Sequence, residues 1–254
     1  MKLAIKEGGS GQNLVLLHGW GMNSSIWDSL LPELQRNFNV ICVDLPGHGQ
    51  SKCDATWTME QFVDVLADQL PKQCVILGWS LGGMLALRYA AKYPSRVSGL
   101  IMLASSAKFV RSKDWRQAQP KAVLQIFADK LLENPNASIK RFLLLQTQGM
   151  DDQAGLNRLL VQVLANDKLP NLAGLKSGLD ILATADLRLD LANITSPLLQ
   201  ILGAKDQLVP LAVAADSKSL SPTMQSVVVK GAAHVPFISH PTETIKAIRA
   251  FCLV

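Results

Sequence analysis

A serine set between two glycines, where a short apolar run gives way to a helix, constrains this chain more than any other feature. Cys74-Val75-Ile76-Leu77 runs into Gly78-Trp79-Ser80-Leu81-Gly82-Gly83, and Met84 to Tyr93 continues with helical character. A serine at a strand-to-helix turn needs a sharp bend, and small residues two positions before and after it relieve crowding while Oγ projects above the sheet. The string alone would mean little in a loop. Its flanks give it weight and point to Ser80 as a nucleophile.

The surrounding pattern repeats the strand and helix alternation. Apolar runs at 14–17, 39–43, 74–77 and 99–103 read as strands, and they resume at 198–202 and 226–229. Phe62, Val63, Leu66 and Leu70 share one face of a helix over 59–70, and Pro241 suits the first turn of a final helix reaching Cys252. This order predicts an α/β fold with a mostly parallel central sheet and flanking helices. The stretch from Phe109 to Ala185 instead reads as helices at 118–132, 139–147, 155–165 and 171–183, punctuated by Gly149, Pro170 and Gly174. It is expected to form a helical cap, inserted where parallel sheets carry their sites. The domain reading is a core in two parts, 1–108 and 186–254, with the cap at 109–185.

With 254 residues, 48% of them hydrophobic, the chain can bury a full core, and no Pro/Gly/Ser-rich linker divides it. No run approaches the eighteen or so apolar residues needed to cross a bilayer. The amino terminus meets charge and glycine too soon for a secretory signal, so a cytoplasmic location is expected. Cys42, Cys53, Cys74 and Cys252 lack zinc or redox spacing, and neither a disulfide nor a bound metal is expected. The net charge of +5 is unevenly placed: residues 108–180 hold 11 Lys/Arg against 7 Asp/Glu. That local excess suits an acidic partner or substrate better than nucleic acid.

A serine hydroxyl needs a base to attack at neutral pH. Of four histidines, His234 is the best placed, on a loop between a strand and the terminal helix. His18 and His48 sit in glycine-rich loops, where ring hydrogen bonds would hold loop shape, and His240 would brace the last helix. Asp206, just past the glycine that ends Ile201-Leu202-Gly203, is the acid expected to fix the imidazole tautomer. Its competitors Asp180, Asp186 and Asp190 fall in or just after the cap. The backbone N–H of Leu81, with that of Trp20 after the first apolar strand, would form an oxyanion site. Trp20 and Trp79 would line the acyl pocket, or fill core. There is no dinucleotide fingerprint, phosphate loop or zinc helix, so no cofactor is expected.

Four stretches carry a family resemblance: His18-Gly19-Trp20-Gly21, Asp44 to Gly49, Gly78 to Gly83, and Ala232 to Pro241, with Arg141-Phe142-Leu143 and Gln146-Thr147 in the cap. Together they resemble the biotin-pathway carboxylesterases of the α/β-hydrolase superfamily, which demethylate pimeloyl-acyl carrier protein methyl ester. The resemblance implies hydrolysis of that ester to methanol and pimeloyl-acyl carrier protein, with an acidic carrier docking on cap arginines. Arg141 and Arg158 match such arginines, whereas Ala137 and Ala154 replace two others, leaving Lys130, Lys140 and Lys168 as substitutes. Phe142 resembles a residue beside the substrate channel, with core packing as its rival. Other activities open to the same site are short-chain ester, thioester or carbon-carbon bond hydrolysis, and a non-enzymatic binder is the remaining class. A monomer is expected.

Overall fold

The computed structural model describes residues 2–165 and 168–253. Seven strands form one sheet: β1 (Ile5–Gly9), β2 (Gln12–Leu17), β3 (Phe38–Val43), β4 (Cys74–Trp79), β5 (Val97–Leu103), β6 (Leu198–Gly203) and β7 (Gln225–Val229). Their order is β1-β3-β2-β4-β5-β6-β7. Only β1 runs antiparallel, against β3, and every other pairing is parallel. Every residue of β4 and β6 is buried, as a parallel strand covered on both faces requires.

In chain order the α-helices are α1 (Leu31–Leu34), α2 (Met59–Gln69), α3 (Leu81–Lys92), α4 (Lys121–Glu133), α5 (Pro135–Gln146), α6 (Gln153–Ala165), α7 (Leu172–Thr184), α8 (Arg188–Ala192), α9 (Val213–Leu220), α10 (Pro236–Ser239) and α11 (Pro241–Cys252). α3 packs on β4 and β5, and α11 on β6 and β7. α2 begins at a capping box, in which Thr58 accepts from Gln61 N–H and the Gln61 side chain bonds back to the Thr58 backbone.

Helices α4 to α7 lie between β5 and β6. The first starts three residues later than the periodicity predicts, because 109–120 makes extended bridges, Val110 with Gln119 and Ser112 with Trp115. α5 starts earlier, at Pro135, where Asn134 accepts from the Ala137 N–H; a proline at N1 sacrifices no helical bond. β1 had no counterpart in the sequence reading. It is an exposed edge strand carrying Lys6 and Glu7, so it lacks the apolar run by which the other strands are recognised.

No helix among the described residues is long and apolar enough to cross a membrane.

Candidate active site

Ser80 sits between the last residue of β4 and the first of α3, with φ 55° and ψ −116°. Such a conformation costs on the order of 1–3 kcal/mol and persists only where its surroundings impose it. Here the glycines make the turn possible. A Cβ at Gly78 would lie 2.0 Å from the Gly82 carbonyl oxygen, and one at Gly82 would lie 2.4 Å from that of Leu17.

His234 and Asp206 are delivered by the loops after β7 and β6. These loops are joined by their backbones: Ala204 N–H donates to Val229 O, and Lys205 N–H to Ala232 O. The glycine at 203 allows this approach, since a Cβ there would lie 2.0 Å from the Ala233 oxygen. Within this frame His234 Nδ1 donates to Asp206 Oδ2 at 2.8 Å, with both side chains almost wholly buried. The other carboxylate oxygen accepts from Leu208 and Val209 N–H at 2.8 and 2.9 Å. With Nδ1 protonated, Nε2 holds the free lone pair of the ring, and it is buried without a hydrogen-bond partner. Such an imidazole can take a proton from a hydroxyl once substrate tightens the site. Asp180, Asp186 and Asp190 lie elsewhere, along a cleft of about 570 Å³ between α2, α7 and α8 that holds none of Ser80, Asp206 and His234.

The other histidines do different work. His18 Nε2 accepts from Leu45 N–H at 2.9 Å, which leaves Nδ1 to donate to Gly19 O at 2.8 Å. Burial lowers the pKa of His18 and pulls that of His48 down to about 3, so both rings stay neutral and hold their loops.

Leu81 is the first residue of α3, where a backbone N–H has no intrahelical acceptor. Trp20, in the loop after β2, turns its indole to the helices above: Nε1 donates to Leu175 O of α7 at 2.8 Å. Its ring meets Phe127 and Phe142 edge-on, at 5.3 and 4.9 Å between centroids. Both phenylalanines line a narrow apolar cleft between α4, α5 and α7, with about 50 Å³ of free volume. Trp79 is fully buried beside His234, where its Nε1 donates to the His234 carbonyl at 2.8 Å and its ring packs on Phe237. Arg141 and Arg158 are exposed on α5 and α6, whereas Ser80 and His234 are buried.

Two contacts escaped the sequence reading. The backbone N–H of His234 donates to Gln146 O at the end of α5, at 3.1 Å, and Trp20 leans on the Leu175 carbonyl. Both acceptors are main-chain oxygens, which side-chain chemistry does not reveal. Phe127 was legible in principle, as an aromatic beside Leu124 on the inner face of α4.

Comparison with known proteins places this arrangement. Residues 12–241 match the family described as alpha/beta hydrolase fold. An esterase from Exiguobacterium antarcticum shares the fold with a TM-score of 0.89, at 22% identity over 98% of this chain and 94% of that one. Topology and family match define the class, an α/β-hydrolase with hydrolytic activity. Two relatives narrow it, both pimeloyl-[acyl-carrier protein] methyl ester esterases. The one from Pectobacterium atrosepticum is 42% identical over 245 residues, 96% of each chain. The other, from Yersinia enterocolitica, is 42% identical over 229 residues, 90% of this chain and 88% of its own. The chain belongs to this esterase family within the α/β-hydrolases, and it is a carboxylesterase acting on an esterified substrate.

Proposed function

We propose that the enzyme removes the methyl group of pimeloyl-acyl carrier protein methyl ester. Its full-length kinship with esterases of that name carries the reading. Ser80 gives its proton to His234 Nε2 as Oγ attacks the ester carbonyl carbon. Asp206 holds the ring and stabilises the imidazolium without taking the proton. The N–H groups of Leu81 and Trp20 receive the negative charge that develops on the carbonyl oxygen. Collapse of the tetrahedral intermediate expels methoxide, which leaves as methanol with the proton from His234. Water then gives a proton to the same ring and attacks the acyl carbon. The bond from that carbon to Ser80 Oγ breaks, Oγ takes the proton back from His234, and the pimeloyl carboxylate leaves.

The apolar cleft beside Phe142 suits the methylene chain, and the exposed cations of α4 to α6 suit an acidic carrier protein. Purified pimeloyl-acyl carrier protein methyl ester is the deciding substrate, with methanol and the carrier-bound acid followed together. Equal amounts of both are expected. Release of free monomethyl pimelate from the carrier would instead assign thioester cleavage, and no turnover would reject the substrate.

A further inference from the structure

Two residues other than glycine have positive φ among the described residues, Ser80 at 55° and Ala104 at 44°. They stand side by side, because Trp79 pairs with Leu103 at the last register position of β4 and β5. The bend at Ala104 brings two groups to the serine. Leu103 O accepts from the Ser80 N–H at 2.9 Å, and the Ser105 hydroxyl donates to the Ser80 carbonyl oxygen at 2.7 Å. Ser105 is itself buried, at 1% exposure, and is anchored from the next strand: Gln200 Nε2 on β6 donates to Ser105 O at 3.1 Å. Gln200 Nε2 also reaches Ser217 Oγ of α9 at 3.5 Å. A buried polar chain thus runs from α9 through β6 and the loop after β5 to the serine backbone, separate from the pair formed by His234 and Asp206.

We infer that Ser105 is a positioning residue that aims the Leu81 N–H at the developing oxyanion. The peptide joining Ser80 to Leu81 is planar and trans, so its C=O and N–H point in opposite directions. Fixing the oxygen therefore fixes the donor. The Ser80 oxygen also accepts from Gly83 and Met84 N–H, at 3.0 and 3.3 Å, but both bonds come from the helix it caps and restrain it along one direction. The Ser105 hydroxyl adds a restraint from the sheet, outside that helix. Without it, a strained backbone is free to swing the peptide toward an ordinary conformation, and a misaligned N–H makes a weaker hydrogen bond. Oxyanion stabilisation acts in the transition state more than in the bound substrate, so the loss falls on kcat.

The inference rests on the proposed roles of Ser80 and Leu81, and the test separates the two. In Ser105→Ala the helix start keeps its Gly83 and Met84 bonds, so the fold should persist. Its kcat on a short soluble ester is expected to fall about 10- to 100-fold, less than deletion of an oxyanion donor outright, with KM unchanged. Affinity for a boronic acid that forms a tetrahedral adduct with Ser80 should fall by a similar factor. Ser105→Cys, a weaker donor of similar size, should be intermediate, and Gln200→Met should show a smaller loss in the same parameters. Wild-type kcat and boronate affinity in Ser105→Ala, or a loss confined to KM or to thermal stability, would overturn the inference. Ser80→Ala serves as the control. If it is inactive while Ser105→Ala and Ser105→Cys keep full kcat, only this inference fails. If Ser80→Ala itself turns over, the reading of the site fails and the inference goes with it.

Discussion

Several cations on the core are locked into ion pairs, whereas those along α4 to α6 stand without one. On the core, Arg88 bridges Glu60 and Asp190, Lys92 holds Glu60 and Asp64, and Arg249 reaches Glu33. Among the described residues Lys121, Lys130, Lys140, Arg141 and Arg158 have no ion pair or side-chain hydrogen bond, and all are exposed. Apolar side chains differ in the same sense. Leu14, Ile76 and Leu100 of the sheet are wholly buried, whereas Val123, Ile126, Leu132, Leu144 and Leu169 are each more than half exposed. Apolar surface mixed with positive charge is a composition that suits the acidic carrier proposed above. The difference is one of degree: among the described residues Lys52, Lys72, Lys230 and Lys246 of the core are also exposed and unpaired, but only the core ties a share of its cations into ion pairs that link distant helices.

Mutations in the two regions should therefore fail in different ways. Ser80→Ala should cause the largest loss, on the order of 10⁶ in kcat by analogy with a serine protease nucleophile, and the loss should be the same for a carrier-linked and a short free ester. A variant still active on the short ester alone would mean that the two substrates do not share a nucleophile. Asp206→Asn should lower kcat about 10⁴-fold, the magnitude known for the aspartate of a serine protease triad, again on both substrates. If Asp186→Asn showed that loss in its place, the acid would lie at the boundary of the helical segment.

Arg141→Glu with Arg158→Glu should lower kcat/KM for the carrier-linked ester by about 10-fold at low salt through lost steering, and leave the short ester unchanged. Since charges are screened beyond about 8 Å at physiological ionic strength, a salt series should bring wild type and double variant together. Equal losses on both substrates would point to damage of the pocket instead of docking.

The smallest effect separates the regions by pH. His18 and His48 are neutral when folded, their pKa values lowered by burial, but titrate near 6.5 when unfolded. Below that pH the unfolded chain binds more protons, so core stability should be full above about pH 6.5 and decline as the pH falls toward 3. At the base of the helical segment, Arg188 holds Asp186 below the usual carboxylate range and Asp114 at about 2. Those pairs should weaken only below about pH 4, where the unfolded carboxylates become protonated. Denaturant midpoints at pH 7.5 and 5.0 test the first claim, with a flatter response expected in His48→Asn. Hydrogen exchange in α4 to α7 tests the second, and early opening at pH 5 would contradict it.

Much of this is legible in the sequence, and unevenly so. Strands β2 to β7 stood out as apolar runs, unbroken where a strand is buried on both faces and kept by Val227-Val228-Val229 even at the exposed edge, and the turn at Ser80 stood out because only small residues fit at 78 and 82. β1 was invisible because Ile5-Lys6-Glu7-Gly8-Gly9 holds a single apolar residue beside two charges and two glycines. Helix starts in the 109–185 segment shifted by a few residues, where a proline or an asparagine cap overrode the apolar period.

The sequence by itself determined the layered α/β architecture, the turn that carries Ser80 and the excess of positive charge over the helical segment, because each is encoded in local side-chain size, polarity or periodicity. Only the tertiary structure decided that the His234 N–H meets the Gln146 carbonyl, that Trp20 is held by Leu175, and that Ser105 grips the serine backbone. These contacts depend on how distant loops close and on main-chain oxygens that every residue possesses, and no pattern of residue types distinguishes one such oxygen from another.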